Sequence, residues 1–102
     1  MMTQCKITVL KRLLVEDLAA EYGPAGLGKC DLHEEGQEYI ASLSKPEGLC
    51  DDAWKCMYPY VFALVHGVDY FYDNDGDTKP GVAICSCNDG VRPVIFKVES
   101  IG

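Results

Sequence analysis

The segment from Asp52 to His66 constrains the fold most, because its apolar residues recur at the spacing of an α-helix. Apolar side chains stand three and four positions apart at Trp54, Met57, Tyr58, Val61 and Val65. Ala53, Tyr60 and Leu64 widen this stripe. The pattern predicts a helix over about 52–66, mostly buried, with a kink or a restart at Pro59 because proline lacks a backbone N–H. Such a helix needs other elements to pack against.

Shorter patterns predict those elements. The alternating segment 5–10 (CKITVL) predicts a strand, segment 15–24 (VEDLAAEYGP) a short helix, and segment 37–43 (QEYIASL) a second strand. The last twenty residues predict a β-hairpin over about 82–99. This order of elements predicts an α+β fold with a small, mostly antiparallel sheet packed against the long helix.

Length and composition favour one domain spanning residues 1–102, since 48% of the residues are apolar and can form a core. The formal net charge of -7 and the pI of about 4.6 disfavour nucleic acid and anionic membranes as partners, because both carry phosphate. No secretory signal or membrane-spanning run is recognised, so the expected location is the cytoplasm, where thiols stay reduced. The six cysteines are then expected to be unpaired, although a secreted protein could form three disulfides from them.

The predicted hairpin contains the segment CSCNDGVRP, in which Asp89-Gly90 favours a two-residue type I′ turn. That turn would place Cys87 opposite Arg92 at the rim of the buried face, and Cys85 opposite Val94 within it. Cys85 is therefore expected to be a core residue. A guanidinium beside Cys87 would favour its thiolate, which makes Cys87 a candidate nucleophile. The alternative is that Arg92 pairs with Asp89 or another carboxylate and Cys87 is inert.

Cys50 is the second candidate thiol, because it stands immediately before Asp51 and Asp52 at the predicted helix start. The N–H groups and dipole of a helix N-terminus stabilise a thiolate, whereas the adjacent carboxylates oppose it. Modest activation of Cys50 is expected at most. A purely structural cysteine at the helix start is the alternative.

Metal-binding patterns are weak in this sequence. There is no CxxC pair, and the Cys85–Cys87 pair alone has little specificity. His66, next to Gly67, is expected to interact with the helix C-terminus rather than with a metal. A composite soft-metal or iron–sulfur site stays open, with Cys30, Cys50 and Cys87 as its candidate ligands.

Other catalytic or ion-binding motifs are incomplete. The acidic segment 73–77 (DNDGD) matches the start of an EF-hand loop, but Thr78 replaces the required glycine and Ile84 the closing glutamate, so a solvated turn is expected. Nucleophilic catalysis needs a base near the thiol, and the fold would have to bring His33 there. No phosphate-binding glycine motif is present.

Several segments together resemble a family of short, uncharacterised prokaryotic proteins without an assigned function. The resemblance covers nearly the whole chain, through KITVLKR, DLAAEY, C…EEGQEYI, KPEGLCDDAW and CNDGVRPVIFKVESI. It implies an intracellular protein of an anaerobe type, with cysteines shared at Cys30, Cys50 and Cys87. It also implies a set of residues that the chain shares with this family, namely Cys50, Asp51, Trp54, Cys87, Asp89, Gly90 and Arg92. The loop DYFYDNDGDTK differs from its counterparts, and the resemblance supplies no reaction.

The leading hypothesis from the sequence is a small cytosolic binding or accessory protein. Its site would lie where the hairpin tip meets the start of the main helix, with an anion or a soft metal as the ligand. The candidate binding residues are Cys50, Asp51, Trp54, Cys87, Asp89 and Arg92.

Two alternatives belong to other functional classes. The first is a thiol-based redox or transfer enzyme that uses Cys87 or Cys50 as its nucleophile. The second is a structural interaction protein, including a homo-oligomer that associates through the aromatic loop 70–72. The sequence leaves open whether the chain is an enzyme.

Overall fold

A computed structural model describes residues 3–71 and 79–102, which form two helices and one four-stranded sheet. The elements are β1 (Cys5–Arg12), α1 (Glu16–Tyr22), β2 (Glu38–Ala41), α2 (Asp51–Val65), β3 (Val82–Ser86) and β4 (Val94–Ser100). The predicted α+β class and the C-terminal hairpin are confirmed. The acidic segment 73–77 and Tyr72 of the predicted aromatic loop lie outside the described residues.

The sheet has the strand order β2-β1-β4-β3, and each neighbouring pair is antiparallel. The two longest strands, β1 and β4, lie in the centre, and a register shift between Val9 and Lys11 marks a bulge in β1. Short strands at both edges limit the unpaired backbone available to another chain.

The core lies between α2 and one face of the sheet. The inward residues of the central strands alternate with more exposed neighbours, as a half-buried sheet requires. The fully buried side chains include Ile7 and Val9 from β1, Phe96 and Val98 from β4, and Met57 and Val61 from α2. Burying an apolar side chain of this size stabilises the fold by about 1.5–3 kcal/mol.

The solvent side of α2 carries a row of aromatic rings, which narrows the buried stripe expected from the sequence. Trp54 and Tyr58 are half-buried, and their ring centroids lie 5.4 Å apart. Tyr58 and Phe62 continue the row at 6.1 Å. Residues four apart on a helix can stack in this way, and Trp54 also packs against the edge of the core. The helix also continues through Pro59, which lies on its exposed side.

The start of α2 and the β3–β4 connection lie at the same end of the domain. The backbone N–H of Thr3 donates to the carbonyl of Val65, so α2 ends beside the start of β1. Because β1 and β4 are antiparallel, the β3–β4 connection lies at the opposite end of the sheet. Fifteen helical residues span about 22 Å, which carries the start of α2 to that opposite end. No helix within the described ranges is long and apolar enough to cross a membrane.

Candidate functional site

The connection between β3 and β4 is longer than the sequence predicts. Cys85 pairs with Phe96 rather than with Val94, so the predicted two-residue turn is wrong. The observed pairing of β3 with β4 differs from the predicted one by two positions. Because side chains alternate between the two faces of a strand, each side chain stays on the face that was predicted for it. Gly90 has no positive φ, which a type I′ turn would require.

The side chain of Asp89 holds this connection together. Its Oδ1 accepts the backbone N–H groups of Val91 at 2.9 Å and Arg92 at 3.0 Å. Asp89 therefore acts as a local cap, which is the common role of aspartate in turns. These two hydrogen bonds, led by that from Arg92, lower the pKa of Asp89 below its ordinary value.

The guanidinium of Arg92 pairs with Asp89 rather than facing Cys87. Arg92 Nε lies 3.2 Å from Asp89 Oδ2, and both side chains are partly exposed. The predicted Cys87–Arg92 register pair is wrong, because Cys87 instead stands beside Val94. The carboxylate neutralises most of the positive charge that was expected to act on the thiol.

Cys87 has an unusual place in the backbone ladder. Its N–H donates to the carbonyl of Val94 at 3.0 Å, but the N–H of Val94 donates to Cys87 Sγ at 3.3 Å. The carbonyl of Cys87 instead accepts the hydroxyl of Ser86. A sulfur atom thus occupies an acceptor position at the end of the sheet.

Cys56 interacts electrostatically with Cys87, although its sequence context does not make it a candidate. Burial raises the pKa of the Cys56 thiol, and the charges of Cys87 and Asp52 raise it further. The charge of Cys87 therefore acts on Cys56 across the packing of α2 on the hairpin. The sequence does not show this interaction, since the two cysteines belong to separate segments of the chain.

Cys85 is a core residue, as the sequence predicts. Its side chain is buried, and this burial, with the charge of Cys56, raises the pKa of the thiol to about 12. Cys5, at the other end of the sheet, is also buried, and this burial raises the pKa of its thiol to about 11. Both thiols stay protonated and unreactive at neutral pH.

Cys50 is the N-cap residue of α2 and lies next to His33. Its backbone N–H donates to His33 Nε2 at 3.3 Å, while its side chain makes no capping hydrogen bond. His33 Nδ1 lies 3.1 Å from the Tyr39 hydroxyl, and the ring packs edge-on against Phe96. His33 is only 3% exposed, and burial lowers its pKa. His33 is not among the candidate site residues, and its contact with Cys50 is to the backbone N–H rather than to the thiol.

The remaining candidate residues have structural contacts of their own. The carbonyl of Cys30 accepts Arg12 Nη1 at 3.1 Å. Asp51 is exposed and forms an ion pair with Lys45 at 3.3 Å. Trp54 is half-buried against the core.

No group of three or more His, Cys, Asp or Glu side chains in residues 3–71 and 79–102 is placed to hold a metal ion. The composite site of Cys30, Cys50 and Cys87 is therefore not assembled as a three-ligand centre, and it stays a prediction. All six cysteines lie in the described ranges and are free. His66 Nδ1 donates to the carbonyl of Phe62 at 2.7 Å, which agrees with its expected role at the helix end.

No protein-family model, curated protein or solved structure matches this chain. The resemblance to the short prokaryotic family rests on the sequence segments alone.

Proposed function

We propose that the protein is a small binding protein that holds a soft, thiol-seeking ligand at the end of the domain where α2 begins. Cys87 supplies the principal sulfur atom and Cys56 the second. The observation that carries this proposal is the hydrogen bond from the Val94 N–H to Cys87 Sγ at 3.3 Å. The electrostatic effect of Cys87 on Cys56 supports Cys56 as the second ligand.

The charges that act on the two thiols disfavour an anion. Arg92 is paired with Asp89, and Lys55 with Asp52. The negative charge of Asp52 acts on Cys56. A carboxylate that acts on a thiol favours a cationic ligand there over an anionic one.

The number of available thiols favours a metal ion that needs few ligands. Structural zinc takes four protein ligands and iron–sulfur clusters are held by several cysteines, whereas no three-ligand group exists within the described part of the chain. Thiolates select soft ions such as Cu(I). Cu(I) held by Cys56 and Cys87 is the specific form of the proposal.

A thiol enzyme with Cys87 as nucleophile is the second candidate, since this side chain is partly exposed at the end of the sheet. The base that the sequence suggests for this candidate is His33. Both nitrogens of His33 are already engaged, one by Cys50 and the other by Tyr39. A catalytic base must be free to reach the proton it removes.

The binding proposal is tested by titrating the reduced protein with Cu(I) under anaerobic conditions, against a chromophoric Cu(I) chelator. The expected result is one bound ion per chain, with Cys87→Ser and Cys56→Ser each weakening binding by about tenfold or more. Cys5→Ala is the matched control, because it removes a buried thiol at the opposite end of the sheet.

Three outcomes discriminate among the candidates. Retention of wild-type affinity in Cys87→Ser overturns the proposed site. Loss of binding in Cys30→Ser and Cys50→Ser, with none in Cys56→Ser, favours the composite site expected from the sequence. Absence of Cu(I) binding, together with one thiol that iodoacetamide modifies far faster than the others near neutral pH, favours the enzyme.

A further inference from the structure

Residues 13–28, here called the arm, stand beside the sheet with little support from the core. They contain α1, which has no extensive packing against any strand or against α2. Two backbone hydrogen bonds attach the start of the arm to the β3–β4 connection, from Leu13 to Pro93 at 2.8 Å and from Val15 to Val91 at 2.9 Å. The arm therefore offers a surface that the domain itself does not cover.

An open groove of about 490 Å³ lies between α1 and the segment that follows it. Its walls are mainly aliphatic and include Leu14, Ala20 and Leu27. Gly23 allows the chain to turn back, because a Cβ there would lie 2.8 Å from both Ala19 O and Leu27 Cδ2. The groove thus depends on a specific close approach of the backbone. Its volume is in the range of pockets that accept small ligands or a few side chains.

The border of the groove is acidic at Glu16, which lines it. Asp17 and Glu21 stand on the same helix but do not line the groove. All three are exposed, and none forms an ion pair with another described residue. α1 has no basic residue to balance them. A partner that places cations beside apolar side chains would meet both features of this surface.

We propose that the arm docks a basic amphipathic segment of a partner protein. Aliphatic side chains of that segment fill the groove, and its lysines or arginines lie beside Glu16, Asp17 and Glu21. This is helix-in-groove recognition, in which apolar anchors give affinity and charges give orientation. The inference is independent of the thiol site, which involves none of these residues.

A second copy of this chain fits the groove less well. Each chain carries a net charge of -7, and a symmetric pairing of two arms would bring the same carboxylates together. A phosphate-bearing surface is disfavoured for the same reason. The open shape also suits a peptide that continues beyond the groove better than an enclosed small molecule.

The probe for this proposal is a fluorescent amphipathic peptide made of leucine and lysine, followed by anisotropy. Two peptides of equal length provide the comparison, one of leucine and glutamate and one of serine and lysine. The leucine–lysine peptide is expected to bind about tenfold more tightly than either, because only it offers both apolar anchors and cations.

Two variants locate the binding site on the protein. Ala20→Phe fills the groove from an exposed position and is expected to weaken binding about tenfold. Glu16→Gln removes one carboxylate of the border and is expected to weaken binding about threefold. Ile84→Ala, which changes an exposed apolar residue of β3, is the control and should bind as the wild type does. Circular dichroism melting shows whether each variant keeps the fold.

Amide chemical shifts provide a second readout, and the leucine–lysine peptide should move resonances of residues 14–27. Absence of binding, equal binding of the serine–lysine peptide, unchanged binding by Ala20→Phe, or shifts confined to other surfaces would each overturn the proposal. Self-association that Ala20→Phe abolishes would instead assign the groove to a second copy.

Discussion

His33 Nε2 accepts the backbone N–H of Cys50 at 3.3 Å, and this hydrogen bond fixes the N-cap residue of α2 against the loop that precedes β2. Since Nε2 is an acceptor, the proton of the neutral ring is on Nδ1, which lies 3.1 Å from the Tyr39 hydroxyl and donates to it. A protonated imidazole could not accept the bond from Cys50. His33 is therefore neutral in the folded protein.

This arrangement predicts a loss of stability at mildly acidic pH. Burial lowers the pKa of His33 in the folded state below 6.5, while the unfolded chain keeps the ordinary value of about 6.5. Above pH 6.5 both states are neutral, so the stabilisation is complete there. As the pH falls below 6.5 the unfolded state takes up a proton first, and the free energy of unfolding decreases until the folded pKa is passed. Urea unfolding at pH 7.5 and pH 5.5 measures this decrease.

His33→Gln is the matched control, because glutamine can still accept the Cys50 N–H but does not titrate. Its free energy of unfolding should change less between the two pH values than that of the wild type. The carboxylates titrate in both proteins, so the difference between them isolates the histidine. An equal pH dependence in the two proteins would contradict the assignment of His33 as a buried neutral residue.

The buried thiols should be protected from alkylation in the folded protein. The pKa of Cys85 is raised to about 12 and that of Cys5 to about 11, both mainly by burial. At pH 8 both should stay unmodified by iodoacetamide, while Cys87, which is partly exposed, should be modified. Mass spectrometry of peptides after timed alkylation gives the order. Rapid modification of Cys85 without unfolding would contradict the packing of β3 against α2.

The hydrogen bonds that Asp89 accepts from the backbone are expected to stabilise the fold more than its salt bridge with Arg92 does. Asp89→Ala removes the acceptor for two backbone N–H groups and should lower the free energy of unfolding by about 1–2 kcal/mol. Arg92→Ala removes a partly exposed ion pair and should cost less than about 1 kcal/mol. Asp89→Asn retains an oxygen acceptor and should lie between the wild type and Asp89→Ala. Chemical denaturation of the three variants gives this order, and equal effects of Asp89→Ala and Arg92→Ala would contradict it.

The fold was predictable because the hydrophobic periods differ clearly between elements. Apolar residues alternate with a period of two residues in β1 and β4, and they recur with the helical period of about 3.6 residues in α2. The register of β3 on β4 was not predictable from alternation, since registers two positions apart bury the same faces. The Asp89-Gly90 pair suggested a tight turn, but the carboxylate of Asp89 caps a longer connection instead.

The candidate site was only partly predictable, since its contacts join distant segments. Cys87 and Cys50 stood out through local context, at a hairpin and at a helix start. The electrostatic interaction of Cys56 with Cys87 depends on how α2 crosses β3, and no local pattern encodes that crossing. The His33–Cys50 contact likewise spans 17 positions, across β2 and the loops on either side of it. Residues of this kind need a tertiary structure before their neighbours can be named.

Gly23→Ala should loosen the arm while leaving the core intact. The added methyl group would lie 2.8 Å from the carbonyl of Ala19 and from Leu27, so the end of α1 must shift. Because α1 has no extensive packing against the sheet or α2, this shift should change the global free energy of unfolding by less than about 1 kcal/mol. Hydrogen exchange should instead accelerate in residues 16–27 and stay unchanged in α2 and β4. Ala20→Gly provides the comparison, since it weakens the helix without a steric conflict at the turn. Faster exchange throughout the sheet in Gly23→Ala would show that the arm and the core unfold as one unit.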